Sequence, residues 1–131
     1  MSEDLYPAVR FRARFRCEYC RLPEAPSDLP FPVDHVIARE HQGKTTLDNL
    51  ALARPRSNAH KGPNIATVEW PVRELIPLYH PRQERWEDHF KWDGPVIVGL
   101  TKVGRGTARL FDMNSERRVA TRLWLMQEGA F

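Results

Sequence analysis

Pro55 and Gly62 bracket the short segment Pro55-Arg56-Ser57-Asn58-Ala59-His60-Lys61. Proline suits the first helical position, where its missing N–H would have no partner anyway, and glycine suits the position just past the end. The bracket therefore predicts a short helix over 55–61. Ahead of it lie two short apolar stretches. Phe31 to Ile37 reads as a strand, Arg39 to Thr46 as a polar loop with Gly43 at its turn, and Leu47 to Ala53 as a second apolar run. The order is thus strand, loop, strand, helix, and it restricts what residues 31–62 can build.

The chain has 131 residues, enough for one domain with its own core, and shows no internal repeat. Leu5 to Phe15 alternates apolar residues with arginines, as a strand would, but Leu5, Ala8, Phe11 and Phe15 also share a helical face; a helix is preferred. Residues 21–30 are proline-rich loop. Pro63, Pro71, Pro77 and Pro81 predict an irregular surface wrap over 63–81. Asp93-Gly94 between Trp86–Trp92 and Val96–Leu100 predicts a β-hairpin. Gly104–Met113 and Ser115–Glu128 read as helices, the second capped by Ser115, worth about 1 kcal/mol. Gly129 ends it, with Val119, Leu123 and Met126 expected on its inner face. The whole, residues 1–131, reads as one α+β domain.

Net charge is +3 and the isoelectric point about 9.1, which alone says little about partners. Distribution says more. Arg10, Arg12, Arg14, Arg16 and Arg21 crowd around Cys17 with almost no acid among them, so a phosphate-binding arm is one reading and a solvated face the other. No segment approaches membrane-spanning length and the first residues lack the form of a secretory signal, so a cytoplasmic location without membrane contact is expected. Cys17 and Cys20 form a Cys-x-x-Cys pair, which is half a tetrahedral zinc site or a redox couple. Pro23 and Pro26 break the helix a redox couple would want after it.

Asp34-His35, Asn49, Asn58 and Lys61 suit the hydrolysis of a phosphodiester. That reaction needs an activated water, neutralised charge at phosphorus and a stabilised leaving oxygen. A histidine takes the proton near neutral pH, and a magnesium-type ion wants a few hard oxygens and keeps several waters. Adjacent strand residues point to opposite faces, so Asp34 is assigned to a metal and His35 to the water. Asn58 supplies a second oxygen, Lys61 reaches a phosphate, and Asn49 pins the loop that orients His35. Each residue has a bland alternative: a surface pair, a helix cap, a solvated helix end. The case rests on their joint order.

These residues resemble the HNH endonuclease family. The resemblance is carried by Cys17 and Cys20, Asp34-His35, Asn49-Leu50 and Asn58-Ala59-His60-Lys61-Gly62. The later stretch from Pro63-Asn64 through Tyr79-His80-Pro81-Arg82, Arg85-Trp86, His89-Phe90 and Gly99-Leu100-Thr101 is similar to a small standalone bacterial branch. The resemblance implies a ββα-metal core over 17–62, with the hairpin and helices of 82–129 as additions. It implies a DNA endonuclease with His35 as general base, Asp34 and Asn58 holding Mg²⁺ or Mn²⁺, and Asn49 ordering the loop. Lys61 as a phosphate contact is an addition from the residues alone, and Arg10, Arg12, Arg14 and Arg16 are the expected DNA contacts. His60 and His41 are left outside the ligand set.

One departure stands out: Arg54 and Ser57 occupy the positions of a second Cys-x-x-Cys. No tightly bound structural zinc is expected, with Arg54 closing the gap by pairing with Glu18 or stacking on Tyr19. Ala38 and Gln42-Gly43 are smaller departures. A catalytically degenerate nucleic-acid-binding module is the main alternative, and a small redox protein a third.

Overall fold

The computed structural model describes residues 5–131. Helix α1 (Leu5–Arg12) turns Val9 into the core. It is shorter than 5–15 because Arg14 and Phe15 adopt left-handed backbone with φ of 56° and 57°. The chain then folds back through the Cys17–Cys20 turn to strand β1 (Val33–His35), which pairs antiparallel with β2 (Leu50–Leu52). In this register Asp34 faces Ala51 and His35 faces Leu50. Helix α2 (Pro55–Lys61) follows with Pro55 in its first turn and Gly62 at φ 52° beyond its end. The expected strand–loop–strand–helix order is therefore present.

The loop between β1 and β2 corrects one detail. Its left-handed residue is Gln42, at φ 67°, after a 3₁₀ turn over Arg39–His41. Gly43 serves a different need: a Cβ there would lie 1.7 Å from the Ile37 carbonyl oxygen. Only glycine lets the two backbone segments approach so closely.

Residues 63–75 lie at the surface, but not as an irregular wrap, and Ile76, Leu78 and Tyr79 turn into the core. The stretch forms a hairpin of β3 (Ala66–Glu69) and β4 (Glu74–Pro77). The prolines misled because Pro71 sits in the connection and Pro77 at a strand end, where a missing N–H is tolerated. Next come a short helix α3 (Trp86–His89) and the expected hairpin, β5 (Phe90–Asp93) with β6 (Val96–Gly99), turning at Gly94 with φ 57°. The first half of the expected strand from Trp86 is thus helical. Helices α4 (Lys102–Leu110) and α5 (Glu116–Gln127) are capped by the hydroxyls of Thr101 and Ser115, which accept from the amides of Gly104 and Arg118. Among the described residues no helix is long and apolar enough to cross a membrane.

One apolar cluster runs from Val9 through Tyr19, Phe31, Leu50, Leu52, Trp86, Phe90 and Phe111 to Leu125. The face that α5 turns to it is not Val119, Leu123 and Met126. It is Arg118, Arg122 and Leu125, while Leu123 is exposed. Arg118 Nη1 donates to the Phe111 carbonyl at 2.6 Å, and Arg122 donates to the Pro95 and Met113 carbonyls at 2.8 and 2.6 Å. The guanidiniums satisfy turn and helix-end carbonyls that apolar side chains would strand, and their aliphatic stems pack like core.

Candidate active site

β1 presents Asp34 and His35, and α2 presents Asn58. All three line one solvent-open cleft of about 360 Å³, together with Arg39 and Glu40 from the 3₁₀ turn. The alternation of a regular strand would have separated Asp34 from His35, yet this three-residue strand ends at His35 and both reach the cleft.

Asp34 is 6% exposed. Its Oδ2 accepts from the Tyr19 hydroxyl at 2.8 Å, and Lys61 Nζ lies 3.3 Å from Oδ1 and 3.2 Å from Oδ2. Burial raises the carboxyl above its ordinary value, against the opposing pull of Lys61 and Tyr19. Lys61 is 2% exposed and also donates to the His35 carbonyl at 3.1 Å. The expected phosphate contact does not match this placement: the ammonium is a buried counter-ion of Asp34, which Lys61 reaches from the last turn of α2. Tyr19, inside the Cys17–Cys20 turn, was expected as a stacking partner of Arg54, not as a donor to Asp34.

The His35 ring is partly buried, and its Nε2 lies 2.8 Å from Thr45 Oγ1. Burial lowers the imidazole below its ordinary value, Asp34 opposes this, and Arg39 reinforces it. The neutral ring therefore prevails at neutral pH. With the proton on Nε2, donated to Thr45, Nδ1 keeps a free lone pair.

Asn49 holds the loop that carries Thr45. Its Oδ1 accepts from the Ile37 amide at 2.9 Å, and its Nδ2 donates to the Ile37 and Lys44 carbonyls at 3.0 and 2.9 Å. One buried carboxamide thus ties the start of the loop to its end, one residue short of Thr45. Gly43 makes room for this clamp, since a Cβ there would also lie 2.9 Å from Asn49 Nδ2.

The residues fit a hard divalent ion. Among the described residues no three His, Cys, Asp or Glu side chains gather as a cage. The cleft instead offers one carboxylate and one carboxamide, the sparse oxygen set that leaves room for water and phosphate. A carboxylate has about four lone-pair sites, so Tyr19 and Lys61 leave Asp34 with acceptor capacity.

A structural zinc does not fit. Cys17 and Cys20 are wholly buried and unpaired, and their neighbours are the Arg54 backbone and Ser57. Burial pushes the Cys17 thiol up, while its hydrogen bond draws Cys20 down. Neither guanidinium nor hydroxyl completes a tetrahedral zinc site. Full burial also removes the access a redox couple needs. Arg54 does not pair with Glu18, whose carboxylate instead binds Arg82 and accepts from the Leu52 amide at 2.9 Å. No aromatic stacking joins Arg54 to Tyr19 among the described residues.

The basic arm is not one uncommitted surface. Arg10 pairs with Glu24 and lies over the rings of Tyr6 and Phe15. Arg12 donates to the Leu47 and Leu50 carbonyls at 2.8 and 2.6 Å, so it fastens α1 to the β1–β2 loop. Arg16 lies 4.9 Å from the Phe131 ring. Arg14 is exposed. Arg39, which sequence reasoning passed over as a loop residue, is the cation at the cleft.

Residues 17–64 match the family model described as HNH endonuclease. A search of curated proteins and one of solved structures each returned no match.

Proposed function

We propose, on the premise that residues 17–64 form an HNH endonuclease domain, that this chain is a metal-dependent endonuclease cutting DNA phosphodiesters at the Asp34–His35–Asn58 cleft. The observation that carries the reading is the sharing of one open cleft by a neutral imidazole, a buried carboxylate and a carboxamide. His35 takes the proton from the attacking water, a role worth about 10²–10⁴-fold. Thr45 fixes the ring's direction, and Asn49 steadies the residue before Thr45 through the Lys44 carbonyl. Asp34 and Asn58 would hold an ion of the magnesium or manganese type, which when bound supplies charge neutralisation at the phosphate and the leaving 3′ oxygen. Lys61 and Tyr19 hold Asp34 in position from below. Arg39 is placed to meet a substrate phosphate, and exposed Arg14 is the member of the α1 arm best suited to a further backbone contact, which positions the strand without reading its bases.

One observation favours the second reading, a nucleic-acid-binding module that does not cut: the Lys61 ammonium sits on both oxygens of Asp34 and competes with a cation there. A plasmid assay separates the two. The endonuclease reading expects nicking or linearisation that requires Mg²⁺ or Mn²⁺ and stops with EDTA. DNA retention in a shift assay with no cleavage under any divalent ion would establish the binding module instead.

A further inference from the structure

A second pocket, of about 220 Å³, lies where α2 meets the first turn of α5. Its walls carry Arg54, Arg56, Arg117 and Arg118 with His60, against one carboxylate, Asp112. Asn58 lines the cleft, whereas Arg56 and His60, two positions to either side, line this pocket. At 100° per residue the two sites lie on opposite flanks of α2.

The pocket contains unmet donors. Arg118 is 2% exposed; its Nη1 is satisfied by the Phe111 carbonyl, but its Nη2 has no acceptor. Arg54 Nη1 is likewise buried without a partner. Buried charged donors left unpaired are rare because they lose water and gain nothing in return. Two of them at one pocket, with two further guanidiniums on its walls, call for an acceptor with several oxygens and negative charge. The N-terminal end of the twelve-residue α5 adds partial positive charge. Asp112 is the one carboxylate on the walls, and the buried Cys20 thiol also faces Arg118; four guanidiniums still leave the balance in favour of an anion.

We propose that this pocket binds a phosphate group, held by Arg54 and Arg118 and gated by Arg56 and Arg117. The planar guanidinium fork matches phosphate oxygens better than any other common anion-binding side chain. Arg54, the residue that removes a cysteine position expected from the family resemblance, thereby acquires a role. The phosphate is either a free or terminal one or a backbone phosphate of bound nucleic acid. The site does not depend on cleavage at the other flank of α2.

The test is titration of the full chain with inorganic phosphate, without divalent ions and at constant ionic strength, read by calorimetry and melting temperature. The proposal expects saturable binding and a rising Tm. Arg54→Gln and the surface substitution Arg117→Ala should each weaken binding roughly tenfold, the loss of one charge-assisted contact. Lys91→Ala, an exposed cation on β5 away from this pocket, should leave it unchanged. Competition then identifies the source: a 5′-phosphorylated oligonucleotide displacing phosphate better than its 5′-hydroxyl twin marks a terminal group, and equal displacement by both marks the backbone. No binding by the wild-type chain, or wild-type affinity in both Arg54→Gln and Arg117→Ala, overturns the proposal without touching the cleavage reading.

Discussion

Replacing Lys61 by methionine keeps the length of the stem and removes the charge. It leaves Asp34, 6% exposed and still bonded to Tyr19, without its counter-ion. Both partners are too buried for solvent screening to soften the loss. Breaking a buried pair from one side costs about 3–5 kcal/mol, because a charge is left desolvated and unmatched. The His35 carbonyl loses a donor as well. For a chain of this size that is a fall in Tm of roughly 10–20 °C.

The pH dependence follows from the sign of the Asp34 shift. Burial already raises this carboxyl, and a carboxyl raised in the folded state weakens stability as pH climbs from its unfolded to its folded value. Removing Lys61 deletes the largest opposing influence and raises it further. The variant's deficit should therefore be greatest at neutral pH and narrow as acid protonates Asp34. Urea unfolding followed by circular dichroism, at pH 7 and again near pH 4, measures both effects, with an unchanged m-value confirming that only stability moved. A Lys61→Met chain within about 0.5 kcal/mol of wild type, with weakened DNA binding and a shallower salt dependence, would refute the buried-counter-ion argument. It would return Lys61 to a phosphate contact.

Three further outcomes are expected. Because burial lowers the His35 imidazole, the acid limb of kcat/KM against pH should lie below the ordinary histidine value of 6.5; a limb above 6.5 contradicts it. Asn49→Ala strips partners from three part-buried backbone groups, which water can reach in part, and should cost about 1–3 kcal/mol in chemical denaturation; a loss under about 0.5 kcal/mol removes the clamp from the account. Zinc titration of the purified chain should find no site below micromolar, and one tight equivalent would show that Arg54 and Ser57 do not prevent zinc binding.

Much of the site was legible because its geometry is local. Pro55 and Gly62 delimit α2, and α2 and β1 between them carry Asp34, His35 and Asn58, so one short stretch determines their meeting. Asn49 was legible for the same reason, as a carboxamide between loop and strand. What sequence could not show was which charges are committed elsewhere. Arg10, Arg12 and Arg16 look alike in a row, but Glu24, the Leu47 and Leu50 carbonyls and the Phe131 ring take them individually. Lys61 reads as a helix-end cation, but its ammonium is buried against Asp34 and the His35 carbonyl. The inner face of α5 was missed because hydrophobic periodicity assumes that arginine points outward, and Arg118 and Arg122 find carbonyls inside. The β3–β4 hairpin was hidden by prolines that occupy positions needing no donor.

The most direct measurement is plasmid cleavage by His35→Ala beside the wild-type chain, in Mg²⁺ or Mn²⁺, with DNA affinity and folding checked on the same samples. The account predicts a rate lower by about 10²–10⁴-fold with affinity and unfolding midpoint little changed. A variant that cuts DNA as fast as the wild type would contradict the account.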